Sequence, residues 1–202
     1  MSILEKIKEV KSKSKKRNFV QKFDLIINLK NIDLKKSENQ IDEFFPLPKG
    51  IGKEVSIVLF SDSLDAKNCK IINSKEIEGL ANKKKIKKLI KETDFFIAEP
   101  KLMPVVGKFL GKFLAPRGMM PKPVIGNTQK MIDDLKKSVR IVLKKQPIIH
   151  TIVGSESMKD EDVEENIRSL LAFLEKKLPR GKQNIKNVYL KLTMGHPVKL
   201  EV

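Results

Sequence analysis

Gly107–Pro123 reads GKFLGKFLAPRGMMPKP, and the rest of the chain is best read outward from it. The stretch starts with helical spacing and cannot finish as a helix. Pro116 and Gly118 bracket Arg117, and proline restricts the residue before it while glycine frees the backbone after it. The pattern predicts a helix over Leu102–Leu114, carrying Val105, Val106, Phe109, Leu110 and Phe113. A rigid, exposed, positively charged loop around Arg117 and Lys122 should follow it. The Gly111-Lys112 pair invites a phosphate-loop reading, but only three residues separate it from Gly107. Phe113 also stands where Ser or Thr would hold magnesium. That reading fails.

Working outward, the neighbouring segments alternate between strand and helix. Val55–Phe60 is a continuous apolar run of the kind a strand covered on both faces needs. Cys69–Ile72 reads as a short strand, Ile77–Ile90 as a lysine-heavy helical stretch, and Asp94–Ala98 as another buried strand. Short strands separated by helices predict a parallel, Rossmann-like α/β sheet over residues 51–124. Pro/Gly-rich crossings flank this block at Phe44–Gly52 (FFPLPKGIG) and Val124–Asn127, which makes Pro48, Gly50 and Gly126 candidate hinge residues.

The outer segments have a different texture. Ile3, Leu4, Ile7 and Val10 share a helical face, and Lys22–Lys30 alternates as a strand. A short helix is expected around Met131–Lys137. Val139–Leu143 and Ile148–Val153 should form a hairpin across Gln146-Pro147. Asp160–Lys177 is a strong helix whose acidic start and basic end complement its dipole. A last strand spans Lys186–Thr193. These strands have few partners close by in sequence, which suggests a nested α/β chain of two domains. A split α+β outer domain would comprise residues 1–50 and 125–202, and the Rossmann-like domain of residues 51–124 would be inserted in it.

Composition narrows the partners. The chain has 202 residues, with 42 Lys+Arg against 25 Asp+Glu and a net charge of +17, which suits a polyanion. Its only arginines are Arg17, Arg117, Arg140, Arg168 and Arg180. Lysine is a mobile point charge fitted to phosphate, whereas guanine edges favour arginine, so backbone and shape recognition are expected over base reading. With aromatics at 5% of the chain, an extended base-stacking platform is not expected. A lysine-rich proteome would produce the same excess without a partner, so charge alone does not decide. For the run Lys11–Arg17 (KSKSKKR) two readings stand side by side: a solvated helix end, or a phosphate contact.

Other classes find little support. Cys69 is the only cysteine, so no intrachain disulfide and no cysteine-based zinc site is expected. No apolar run approaches the roughly 20 residues needed to span a bilayer. Glu5 and Lys6 interrupt the N-terminal apolar residues that a signal peptide would keep together, so a cytoplasmic protein is expected. His150 and His196 lack a nucleophile in a recognisable elbow and make no triad. The acidic cluster Asp160–Glu165 suits a helix start better than a metal.

At the far end, Thr193-Met194-Gly195 follows a strand. A threonine hydroxyl can both donate to and accept from a 2′-OH, methionine offers a deformable apolar surface, and glycine lets backbone approach sugar. By itself the triplet is more readily a plain turn at the end of a strand.

Taken together, these blocks resemble the universal large-subunit ribosomal protein L-one family, the protein of the mobile stalk. The resemblance runs over nearly the whole chain from Lys22. It rests on Lys22-Phe23-Asp24, Leu47-Pro48-Lys49-Gly50 with Gly52-Lys53, the Gly107–Pro123 block, and Thr193-Met194-Gly195 with Val198-Lys199-Leu200. Ala115, where many members have glycine, and the short N-terminal arm resemble the archaeal branch. His196-Pro197 stands where many members have proline directly after the triplet.

The resemblance implies the nested two-domain architecture and a non-enzymatic, cofactor-free RNA-binding protein, monomeric off the ribosome. Its implied partners are the large-subunit rRNA stalk and tRNA at the exit site, where it assists release of deacylated tRNA. Its own mRNA, in the leader or coding region, is a further implied partner whose translation it represses. Phe23, Thr193, Met194 and Gly195 are implied as the RNA contacts, although Phe23 shares the parity of Leu25 and Ile27 and also reads as a core strand residue. Lys22 is a candidate phosphate contact beside them. Arg117 and Lys122 read either as a charged solvent loop or as a secondary contact with rRNA or tRNA. From a different class, a nucleotide-dependent enzyme built on the Rossmann-like block is the alternative.

Overall fold

Phe23, Leu25, Ile27 and Leu29 alternate with partly exposed neighbours and are buried, as period-two patterning demands of a strand covered on one face. They belong to a central strand of the computed structural model, which describes residues 2–63, 69–80 and 82–201. In chain order its first elements are α1 (Ile3–Lys13), β1 (Lys22–Leu29), β2 (Ile41–Pro46), β3 (Ile57–Phe60), β4 (Lys70–Ile72), α2 (Ser74–Leu80), α3 (Lys83–Glu92) and β5 (Phe95–Ala98). Then follow α4 (Met103–Leu114), β6 (Lys122–Pro123), α5 (Thr128–Lys136), β7 (Ser138–Leu143), β8 (Ile148–Ser155), α6 (Asp160–Lys177), β9 (Ile185–Leu192) and β10 (Val198–Leu200). The chain is α/β and divides into two compact units, Met1–Lys53 with Lys137–Val202, and Glu54–Lys136.

The outer unit holds an antiparallel sheet of order β10-β9-β1-β8 and a two-stranded antiparallel ribbon of β2 and β7. Its core gathers Ile7 and Val10 of α1, the inward residues of β1, β8 and β9, and Val163, Ile167, Leu170, Leu171 and Leu174 of α6. α6 begins with Asp160, Glu161 and Asp162 and ends with Lys176 and Lys177, each set at the favourable end of the dipole. Lys11 Nζ lies 2.5 Å from Asp160 Oδ1 and ties α1 to that helix.

The expected hairpin does not form. β7 pairs with β2, Ile41 facing Leu143, while β8 pairs with β1, so the two strands enter different sheets. β2 was hidden in sequence because Pro46 and Pro48 read as punctuation. Pro46 is in fact the last residue of the strand, where a missing N–H is tolerated. Across the ribbon Arg140 grips Asp42 through two hydrogen bonds of 2.8 and 2.9 Å, and Lys144 adds one of 2.6 Å. The Arg140 guanidinium holds the Asp42 carboxyl at about 2, below its ordinary range.

The middle unit is a parallel sheet of order β4-β3-β5-β6. Val58, Phe60, Phe96 and Ala98 share one core with residues of α2, α3 and α4. Ile57, Leu59 and Ile97, of opposite parity, are buried too, which is why these strands read as unbroken apolar runs. The lysine-heavy stretch is two helices, and Asn82 caps α3 by accepting from the Lys84 N–H. Half-buried Cys69 immediately precedes β4, and burial pushes its thiol up.

The units divide at Lys53/Glu54 and Lys136/Lys137, not at 50/51 and 124/125, so α5 goes with the middle unit. The proline- and glycine-rich segments mark tight turns rather than the division. Val124 N–H still donates to Ala98 O beside β5. The return to the outer unit is made at Lys137, whose carbonyl accepts from Leu47 N–H at 3.0 Å. Among the described residues no helix is long and apolar enough to cross a membrane.

Two outcomes follow. Thr151 Oγ1 on β8 is buried and has no hydrogen-bond partner. Thr151→Val should therefore raise stability by about 1 kcal/mol in denaturant unfolding, since the methyl has no such need; a loss would show that the hydroxyl is satisfied in solution. Separately, we propose that the outer unit folds alone. A chain lacking 54–136, with Lys53 joined to Lys137 by a short Gly/Ser linker, should unfold cooperatively; a circular dichroism spectrum of random coil would refute this.

Candidate nucleic-acid interface

The loop after β9 is shaped by residues from the other end of the chain. Thr193 N–H donates to Lys22 O at 3.0 Å. The Thr193 hydroxyl accepts from Lys22 N–H at 3.2 Å and lies 3.3 Å from Lys22 O, to which it donates. Met194 N–H donates to Oε1 of Gln21 at 3.1 Å. Gln21 is itself buried and locked to β8's end: its carbonyl accepts from Glu156 N–H at 2.8 Å, and its N–H donates to the Glu156 carboxylate at 3.3 Å. A Cβ on Gly195 would collide with Ser14 Oγ and stand 3.3 Å from Leu192 Cβ, so this position is closed to larger residues by packing.

These contacts define a single surface. Ser14 touches Gly195, and Gln21 and Lys22 hold Met194 and Thr193, so residues 15–20 begin and end against the same loop. Lys15, Lys16, Arg17, Asn18, Phe19 and Val20 are all exposed. Phe19 is 54% exposed, Val20 63% and Met194 62%. Among the described residues only six large hydrophobics are exposed, and half of them sit here. A concentration of that kind marks an interaction site rather than scattered surface.

Charge surrounds it. Lys15, Lys16, Arg17 and Lys22 make no ion pair among the described residues, whereas Lys13 is paired with Glu9 and Lys11 with Asp160. On β1, burial pushes the Asp24 carboxyl up, while Lys191, Lys22 and His150 pull it down. Among the described residues no cluster could hold a metal ion. An apolar face rimmed by free cations can take up bases or ribose and neutralise phosphates; it contains nothing arranged to transfer a group.

The candidate residues differ in what they expose. Phe23 is fully buried in the outer core, its ring 5.7 Å from Lys11 Nζ, and offers no surface to RNA. The exposed phenylalanine is Phe19, four residues earlier and outside the strand. Its signal in sequence was an adjacent apolar pair directly after a basic run, with no periodic element to absorb it. The Thr193 hydroxyl spends its proton and one lone pair on Lys22, which leaves one lone pair on an exposed residue. Thr193 and Met194 are exposed, Lys22 is half-buried, and Gly195 serves close packing.

The remaining candidates lie elsewhere. Arg117 is exposed in a 3-10 turn ended by Gly118 at φ 65°, as its bracketing residues demanded. Lys122 is not in that loop but on β6, paired with Ile97. Pro48 and Gly50 belong to a turn fixed in the outer unit: buried Asn166 donates to Gly50 O and Val153 O at 2.9 Å and accepts from Lys49 N–H at 3.0 Å. Gly126 lies inside the middle unit. None of the three candidate hinge residues stands at the division.

Residues 10–196 match the model of the ribosomal protein L1p/L10e family. The chain belongs to that family. It is 43% identical over 208 residues to the large ribosomal subunit protein uL1 of Pyrococcus abyssi, covering 98% of this chain and 95% of that one. The protein of the same name in Methanothermobacter thermautotrophicus is 41% identical over 207 residues, covering 98% of each. That of Methanocaldococcus jannaschii is 41% identical over 208 residues, covering 99% and 95%. These relatives are archaeal, as Ala115 and the short arm suggested.

L1p/L10e membership makes the chain a ribosomal protein of the cytoplasm and not an enzyme, which removes the nucleotide-dependent alternative. The geometry agrees: Gly107–Lys112 lies wholly inside helix α4, so its backbone is not a loop open to phosphate.

Gly195→Ala should lower stability by about 1–2 kcal/mol, because Ser14 must abandon its 2.7 Å bond to Val10 O to make room. Adding Ser14→Ala should recover most of that loss in a double-mutant cycle; strict additivity would show that the two residues do not meet.

Proposed function

We propose that this chain is a structural RNA-binding protein of the large ribosomal subunit, and that it grips the rRNA stalk near the exit site through Phe19, Val20 and Met194. One observation carries this reading. Exposed apolar side chains stand on a segment anchored at both ends to the Thr193–Gly195 loop, with Lys15, Lys16, Arg17 and Lys22 unpaired around them. Membership of a ribosomal family, and relatives named as large-subunit proteins, support it.

The division of labour is physical. Lysines neutralise phosphate and give affinity that falls with salt, while the apolar patch reads shape and stacking and is indifferent to salt. Placed beside the exit site, the protein assists release of deacylated tRNA. The same surface accepts a matching fold in the chain's own mRNA and so represses its translation. The exposed Arg117 turn supplies a secondary contact, with Lys122 on the neighbouring strand.

Phe19→Ala should weaken binding to a stalk rRNA fragment by about 1–3 kcal/mol, the range for loss of one base–aromatic stack, and leave thermal stability unchanged. Met194→Ala should weaken binding by about 1 kcal/mol. Phe23→Ala should instead destabilise the fold by about 3–5 kcal/mol, as loss of a buried ring does. Filter binding and thermal melts decide. Full affinity in a folded Phe19→Ala protein would remove the patch from the site.

A further inference from the structure

Helix α3 carries its charge in an arrangement that the free protein does not favour. Its ten residues, KKKIKKLIKE, bury Ile86, Leu89 and Ile90 and expose Lys84, Lys87, Lys88 and Lys91 on the opposite side, with Lys85 exposed beside them. Both sets follow i, i+3, i+4 spacing, so the helix has one apolar face and one lysine stripe. Lys84 lies three and four residues from Lys87 and Lys88, and Lys91 stands in the same relation to them. Like charges at those spacings repel. The first turn contains no acidic residue, and lysines occupy the end where the dipole disfavours them.

Among the described residues none of these five lysines forms an ion pair, although Glu92 ends the helix and Glu76 and Glu78 are exposed on α2. In the outer unit Lys6, Lys11, Lys13, Lys49, Lys144 and Lys177 each have a carboxylate partner, while unpaired lysines such as Lys30, Lys35, Lys36 and Lys145 stand on loops and not stacked along one helix face. α6 also places its acids and bases at the ends where the dipole favours them. A stripe that opposes both its neighbours and its dipole is relieved by a polyanion.

We infer that the lysine stripe of α3 is a docking surface for the phosphate backbone of RNA, carried by the middle unit and separate from the Phe19–Met194 patch. The inference takes its polyanion from the RNA-binding reading above. No aromatic or large apolar side chain is exposed on the stripe, so it does not read bases. From Lys84 to Lys91 it spans about 10 Å, seven steps of 1.5 Å. That length accommodates about two to three phosphates of one strand, enough for sequence-independent attachment.

The test uses the full chain with K84Q/K87Q/K88Q/K91Q, a 20-base-pair RNA duplex of arbitrary sequence as probe, and affinity measured against potassium chloride. The expected result is at least tenfold weaker binding at low salt and a log–log salt slope shallower by about 2. A four-arginine variant at the same positions should keep the native slope. K30Q/K35Q/K36Q/K145Q, on outer-unit loops, should change the slope far less. Melting temperature should be unchanged or higher in the glutamine variant, because repulsion is relieved; if that variant unfolds, K84Q/K88Q carries the comparison. A native slope in the folded variant overturns the inference, as does an equal loss in the loop variant. Stripe-dependent binding to phosphatidylserine vesicles without any RNA effect overturns it as well. Selective stalk binding that depends on Phe19, with an unchanged duplex slope, sinks only this inference; absence of all RNA binding sinks the RNA reading too.

Discussion

Lys22 and Thr193 stand 171 residues apart and are joined by backbone and hydroxyl hydrogen bonds at the end of the outer sheet. Everything proposed for the Phe19–Met194 patch depends on that junction. β1 is the only strand that bonds to both β8 and β9, so the chain's beginning must be threaded between two strands from its end. Once it is, Gln21 fixes Met194 and Ser14 packs on Gly195, and the intervening residues 15–20 have nowhere to go but the surface. Exposed apolar residues on such a segment are held by a rigid scaffold, which lowers the ordering cost of binding.

The same junction explains the nesting. A strand inserted between two sequence-distant partners obliges the chain to leave and return, and loop-closure entropy grows only slowly with the length of the excursion. Closing about 80 residues rather than about 10 costs roughly 2 kcal/mol more by that logarithmic rule, a sum that a self-contained core offsets. The middle unit has such a core on its own parallel sheet. Turn-rich sequence at Phe44–Gly52 and Val124–Asn127 pointed to this arrangement without marking the division, because proline and glycine report local backbone geometry and not where packing stops.

What sequence revealed, it revealed through periodicity. β1, α4, α6 and the apolar strands of the middle unit were legible because burial on one face or two imposes a repeat. β2 and the pairing of β7 were not, since a short strand ending in Pro46 carries no repeat and pairing over 98 residues leaves no local trace. The site obeyed the same rule in reverse. Phe23 has the parity of Leu25 and Ile27, and that parity is the reason it is buried. Phe19 lies outside any repeat, where pattern predicts nothing and exposure is free to serve binding. Gln21 and Ser14 act through contacts far along the chain, which composition cannot anticipate.

Charge follows a similar economy. A net charge of +17 says little by itself, because a lysine beside a carboxylate contributes almost no field at a distance. In the outer unit the pairs Lys6–Glu9, Lys13–Glu9, Lys144–Asp42 and Lys177–Glu43 cancel locally, and such exposed pairs add little stability. Uncompensated charge stands at residues 15–22, around the apolar patch, on single loop lysines such as Lys30, Lys35, Lys36 and Lys145, and on α3, where the helix tolerates repulsion and an unfavourable dipole. A protein whose excess charge were incidental would have no reason to neutralise some lysines within 3 Å and leave others stacked turn upon turn. The distribution, more than the total, is what a polyanionic partner explains.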